Sequence, residues 1–174
     1  MIQSLLTQLV GSRHRDVALT AAGMVALLLG KKKTGLTLFG TGVYGLEQEW
    51  RRKHPEFQGG WAERFRLSGE FYDRTHQHRV NRWLHIAGIP LIVGGAAGLL
   101  ACKPYRPLWA VSATSFAVGW GLNFVGHGFY EKSAPAFRDA WASFVAGPVW
   151  DLAQRKSSFR REREAPPPES SERP

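Results

Sequence analysis

Apolar residues fall into four blocks separated by short charged runs. No residue is charged from Val17 to Gly30 or from Thr34 to Leu46, and the triplet Lys31, Lys32, Lys33 divides these two blocks. Each is about 14 residues, short of the roughly 20 that an ordinary membrane-spanning helix needs. They read as buried core helices, a shallow hairpin, or two short spans lengthened by snorkelling lysines. Trp83–Cys102 runs for 20 residues without a charge and Pro107–Tyr130 for 24; both are long enough to span. Lys103, Pro104, Tyr105 and Arg106 form a tight polar turn between them. The pattern predicts helices over about 16–30, 34–47, 84–102 and 107–127. Gly94, Gly95, Gly119 and Gly121 suit membrane helices, where small residues let backbones approach; in a soluble helix each costs roughly 1 kcal/mol.

The stretch Glu47–Arg82 differs in kind, being charged, aromatic and broken at His54-Pro55 and Gly59-Gly60. Trp61, Phe65, Phe71 and Tyr72 predict a helix lying on, or packed against, an interface. Residues 155–174 combine charge, proline and serine and are expected to form a disordered cytosolic tail. No cleavage site stands near the start, so no secretory leader is expected. The expected fold is an all-α integral membrane bundle in a single domain, 1–154. It has two apolar hairpins, about four membrane helices, and an interfacial helical segment between them.

Composition sharpens this picture through charge placement. The 174 residues carry 23 basic and 14 acidic side chains, a net charge of +9, and the mean hydropathy of −0.25 hides the apolar blocks behind the charged ones. Eighteen basic residues lie before the first block, between Glu47 and Arg82, and after the fourth block; five lie in the two hairpin turns. The positive-inside rule then places both termini and the middle segment in the cytoplasm. The membrane is the inner one if the chain is bacterial and the endoplasmic reticulum if it is eukaryotic. The basic charge would also permit nucleic-acid binding, but the basic residues bracket apolar spans and no binding motif is present, so no nucleic-acid partner is expected. The single cysteine, Cys102, excludes an internal disulfide framework and a cysteine-rich zinc module. No phosphate-binding loop, nucleophile elbow or dinucleotide fingerprint occurs. Nothing in the sequence fixes an oligomeric state.

The candidate chemistry lies at the ends of the two long blocks. His76, His78 and His85 stand where the third begins, and His127 where the fourth ends. Two consecutive spans joined by a short turn are antiparallel, so this start and this end meet on one face, bringing His76, His85, His127 and Glu131 together. His127 and Glu131 are four apart and share a helical face, a spacing that can hold a metal. Imidazole and carboxylate without thiolate suit iron, zinc or manganese. His76 and His85 are nine apart, hence on opposite faces of one continuous helix. Either His76 precedes the helix, with Asn81 as its N-cap, or the stripe is His78, Asn81, His85; spacing leaves both open. Asn123, four before His127, shares that face and is placed to hydrogen-bond a ligand or orient the imidazole. Glu47, Glu49 and Glu70 are expected to be solvated partners of Arg51, Arg52 and Arg74. Tyr72 and Trp83 are expected to be packing or interface anchors.

His76-x4-Asn81-x3-His85-x4-Pro90, then an apolar hairpin, then Gly126-His127-x3-Glu131-x3-Pro135-Ala136 and Gly147-Pro148, resembles the Mpo-like family over about 71–152. That family is typified by the yeast 2-hydroxy fatty acid dioxygenase of phytosphingosine degradation. The resemblance implies an iron(II)-dependent membrane enzyme that uses dioxygen to shorten a 2-hydroxy fatty acid by one carbon. It places His76, His85 and His127 as iron ligands, favouring His76 over His78, and gives Glu131 and Asn81 catalytic positions. Arg79 or Arg82 would attract the substrate carboxylate, beside their expected anchoring to anionic lipid, and Asn123 would face the substrate. The alternative is a non-enzymatic hairpin protein that scaffolds the bilayer, which explains the apolar blocks but not the histidines.

Overall fold

The computed structural model describes residues 2–76 and 78–131. The expected tail, the Pro135-Ala136 and Gly147-Pro148 blocks, and the basic residues after the fourth apolar block lie outside these. The described residues are helical and contain no strand: α1 (Ile2–Leu28), α2 (Lys32–Lys53), α3 (Trp61–Thr75), α4 (Arg79–Ala101), α5 (Pro107–Val125) and a closing π-helical turn, Gly126–Glu131.

The helices start and stop for local reasons. Pro107 opens α5 at a position where its missing N–H is no loss. Gly30, at φ 71°, turns the chain between α1 and α2. The first two helices outrun their apolar blocks. In α2, ion pairs four residues apart, Glu47–Arg51 at 2.9 Å and Glu49–Lys53 at 2.6 Å, carry the helix through its charged end. In α1, buried Asp16 pairs with Arg15 at 3.0 Å, and its backbone oxygen accepts from Thr20 Oγ1. A run of polar residues therefore does not end the helix.

Two hairpins, α1–α2 and α4–α5, make up the body. Each closes on small residues. A Cβ on Gly95 would stand 2.6 Å from the Phe116 nitrogen, and one on Gly119 2.6 Å from the Gly88 oxygen, so α4 and α5 touch backbone to backbone. Gly94 and Gly121 face open space and have no such role. Leu27 of α1 joins Ile92, Leu99 and Phe116 in a shared core. The two hairpin tips also lock together. Lys32 Nζ donates to the Leu100 and Cys102 oxygens, both at 2.6 Å, satisfying carbonyls at the end of α4, and Tyr105 Oη donates to the Leu29 oxygen at 2.9 Å. Both tips therefore lie at one end of the molecule. Two helical stretches, Arg79–Ala101 and Pro107–Tyr130, are long and apolar enough to cross a membrane; α1 and α2 are not among them, so four spans are not shown.

Of the aromatic residues expected to line α3, Tyr72 is buried, Phe65 and Phe71 are half-buried and Trp61 is exposed. Arg64, Ser68 and Tyr72, at successive helical turns, are buried. Arg64 is only 2 % exposed. It donates to Glu47 Oε2 at 3.2 Å and to Ser68 Oγ at 2.8 Å, and its guanidinium lies 3.5 Å above the Trp50 ring. This clamp fixes α3 against α2. It also corrects the expectation of solvated carboxylates. Glu47 is buried between Arg51 and Arg64, Glu49 is buried and pairs with Lys53 rather than Arg52, and Glu70 pairs with Arg66 rather than Arg74.

Candidate metal centre

The end of α3, the start of α4 and the π turn after α5 meet at the end of the molecule opposite the hairpin tips. Their meeting brings His76, and not His78, to the cluster. The helix breaks between Thr75 and Arg79, so His76 caps the end of α3 and His78 caps the start of α4. Freed from one continuous helix, His76 turns toward His85, and their ring centroids lie 4.8 Å apart. His78 is exposed, accepts from the Val80 N–H at 3.2 Å and lies against Tyr130 outside the cluster. Asn81 is not the N-cap, because His78 already fills that position.

His76, His85 and His127 each present one ring nitrogen to a common point, these atoms all lying within 4.8 Å of one another. Two ligand–metal bonds of about 2.1 Å span at most about 4.2 Å, so a ring shift of about half an ångström would let all three reach one ion. The orientation of two of the rings follows from their other nitrogen. His76 Nδ1 lies 3.0 Å from the Tyr72 oxygen, and His85 Nδ1 lies 3.0 Å from the Asn81 oxygen. A carbonyl oxygen only accepts, so each Nδ1 carries a proton and each ring turns its Nε2 inward. Holding an imidazole by a backbone carbonyl in this way is a recurrent support for metal-binding histidine. His85 Nε2 and His127 Nε2 are 3.0 Å apart, a separation that calls for a proton or a cation between them.

The same arrangement keeps His76 uncharged. Burial, followed by the neighbouring His85 and His127, lowers its pKa from 6.5 to about 3, against a smaller opposing effect of the Tyr72 hydrogen bond. The ring is therefore a neutral nitrogen donor at any ordinary pH. Among the described residues, the histidine triad is the one group of three or more metal-ligating side chains that converges in this way.

Neighbouring residues build the walls. Tyr72 is buried, stacks on His76 at 3.9 Å and 19°, and supplies the carbonyl that fixes it. Sequence reasoning gave Tyr72 only a packing role; the spacing Arg64, Ser68, Tyr72, His76, one turn per step, was the signal for its buried stripe. Asn81 is 0 % exposed, and a Cβ on Gly126 would collide with its Oδ1. Glycine at 126 is thus what lets the π turn descend onto α4 and deliver His127, in keeping with the occurrence of π turns at functional sites. Arg82 pairs with Asp73 of α3 at 2.6 Å and lies 6.0 Å from the Tyr72 ring centroid, beside the cluster. Arg79 is exposed on the first turn of α4. Asn123 is buried one turn before His127. The i→i+5 bonding of the π turn replaces the regular α-helical spacing on which the expected shared face of His127 and Glu131 rested, and the Glu131 side chain lies outside the described residues. His54 stacks on Trp50 at 4.3 Å, away from the centre.

No curated protein and no solved structure matches the chain. A family model described as 2-hydroxy-palmitic acid dioxygenase Mpo1-like matches residues 62–156, a stretch that begins in α3 and contains all three histidines. With that match over more than half of its length, and with the histidines convergent as described, the chain belongs to the Mpo1-like family.

Proposed function

We propose that this protein is an iron(II)-dependent membrane dioxygenase that shortens 2-hydroxy fatty acids by one carbon. The observation that carries the reading is the convergence of His76, His85 and His127, two of them locked by backbone carbonyls with their Nε2 atoms turned inward. Imidazole donors without thiolate fit iron, zinc or manganese, and the family description, a dioxygenase, favours the redox-active member of that set. Bound there, iron(II) would supply the activation of dioxygen and the polarisation of the substrate oxygens.

The protein's own part is to position and to exclude. Tyr72 and Asn81 hold the Nδ1 protons of His76 and His85 and so keep both rings in the ligating tautomer. Arg79 and Arg82 place positive charge beside the cluster for a carboxylate head group, Arg82 while paired with Asp73. Glu131 is the carboxylate proposed to complete the ligand set or to accept a proton. Exposed Val80 and Trp83 on α4 and Phe129 and Tyr130 on the π turn surround the site with apolar surface suited to an acyl tail or to lipid. Each methylene of a tail buried there contributes about 0.8 kcal/mol.

The membrane arrangement supports the same reading. We take α4 and α5 as spans, with the joined hairpin tips on one side and the histidine centre on the other, the side that the positive-inside rule assigns to the cytoplasm from the sequence. The test is direct. Full-length protein in detergent, given iron(II) and dioxygen, is expected to convert 2-hydroxyhexadecanoate to pentadecanoate, and His76→Ala is expected to abolish the conversion while His54→Ala does not. Wild-type protein that does not convert the acid would refute the reading and leave the bilayer scaffold as the alternative, and full conversion by the His76 variant would remove the histidine cluster from the reaction.

A further inference from the structure

Below the histidines, α4 and α5 bury a column of apolar side chains and glycines with one polar exception. Asn123 is 3 % exposed, and among the described residues neither its Oδ1 nor its Nδ2 has a hydrogen-bond partner. Its amide is pressed against α4: a Cβ on Gly88 would meet Asn123 Oδ1 at 2.7 Å and the Gly119 oxygen at 2.9 Å. Gly88 lies three residues beyond His85, and Asn123 four before His127. The amide therefore sits about one helical turn, roughly 5 Å along the axis, from the ligand nitrogens, on the side facing the middle of the hairpin. A carboxamide buried in an apolar hairpin without a partner is costly, and alanine or leucine would fill the place without that cost. Packing does not account for this residue.

We propose that Asn123 is the specificity residue that reads the 2-hydroxyl of the substrate, an inference that rests on the dioxygenase reading above. A fatty acid rising from the bilayer presents its carboxylate to the histidine end and its chain to the apolar side. Its second carbon then lies between the two, at the level where Asn123 stands. A hydroxyl both donates and accepts, and so does a carboxamide, through Nδ2 and Oδ1. An acid without the hydroxyl leaves the amide as unmatched as it is in the ligand-free protein, and that mismatch is the physical basis for discrimination. Close contact with Gly88 fixes the amide plane, so the side chain needs little ordering on binding.

The experiment measures binding rather than turnover. Full-length protein in detergent, loaded with iron(II) and kept free of dioxygen, is titrated with 2-hydroxyhexadecanoate and with hexadecanoate. The wild type is expected to prefer the hydroxylated acid by at least about tenfold. Asn123→Ala and Asn123→Leu are each expected to reduce that preference to about twofold or less, with unchanged metal content and a melting temperature equal to or above that of the wild type. A preference retained in both variants, or absent from the wild type, would overturn the inference while leaving the dioxygenase reading standing. Loss of fold in both variants would also overturn it, because Asn123 would then be a structural residue. Wild-type protein that neither binds nor converts the hydroxylated acid would remove both.

Discussion

Both helical hairpins close on glycine. Gly23 and Gly35 meet in the first, where a Cβ on Gly23 would stand 2.8 Å from the Gly35 oxygen, and Gly95 and Gly119 mark the contact in the second. What they bury is different. The α1–α2 hairpin buries carboxylates, Asp16, Glu47 and Glu49, each within 3.2 Å of an arginine or lysine nitrogen. The α4–α5 hairpin buries amides and an imidazole, at Asn81, Asn123 and His85, all toward one end. Paired charges satisfy each other and form a brace. Imidazoles whose Nδ1 protons are held by carbonyls direct their remaining nitrogens at a shared point, which suits them to a ligand. The family match, 62–156, takes in α3 and the second hairpin and leaves out the first, so the site divides from the brace along the same line.

The strongest way to break this comparison is through the clamp that joins the two parts. Arg64→Ala removes one cationic partner of the buried Glu47 carboxylate and is expected to lower unfolding stability by about 3–5 kcal/mol, measured by denaturant titration in detergent. The metal stoichiometry of the folded fraction is expected to stay unchanged at saturating metal. Loss of metal in step with stability would show that the first hairpin takes part in the site.

A smaller effect is expected where the second hairpin meets its own site. Gly126→Ala drives a methyl into Asn81 and is expected to weaken metal binding by about tenfold, within the range for loss of support to a ligand. Gly121→Ala, whose methyl would meet open space, is expected to leave metal binding unchanged. Equal effects of the two substitutions would mean that helix propensity, rather than the approach of the π turn, governs this end.

A further effect is a pH dependence carried by His76. His76 takes up a proton near pH 6.5 when unfolded but only near pH 3 when folded. Between these values the unfolded state binds more protons, so stability falls as the pH is lowered from about 6.5 toward 3 and is flat, for this group, above 6.5. In metal-free protein, His76→Gln is expected to flatten the slope between pH 7 and 5. An unchanged slope would assign it to another group.

Much of this was legible in the sequence because uncharged run length and antiparallel connection are coarse properties. The four blocks and the meeting of His85 with His127 follow from them, whereas the contact between the hairpin tips does not. Helix ends were less legible. Apolar patterning stops at Leu46, yet α2 continues to Lys53 because Glu47 and Glu49 find cations one turn on, and α1 passes through Ser12–Asp16, where Asp16 is buried and pairs with the adjacent Arg15. The role of Tyr72 was hidden because its carbonyl, and not only its ring, acts on His76. The place of Asn81 was hidden because the break at 76–78 gives the cap to His78, and no spacing rule locates such a break.

The central claim is that His76, His85 and His127 hold one metal ion, and the metal content of full-length protein purified in detergent and reconstituted anaerobically with iron(II) tests it most directly. One iron per chain is expected for the wild type and for His14→Ala and His54→Ala, and less than a tenth of that for each of His76→Ala, His85→Ala and His127→Ala, with all five variants inserted and folded. Wild-type protein that retains no iron, or His85→Ala protein that retains a full equivalent, would contradict the account.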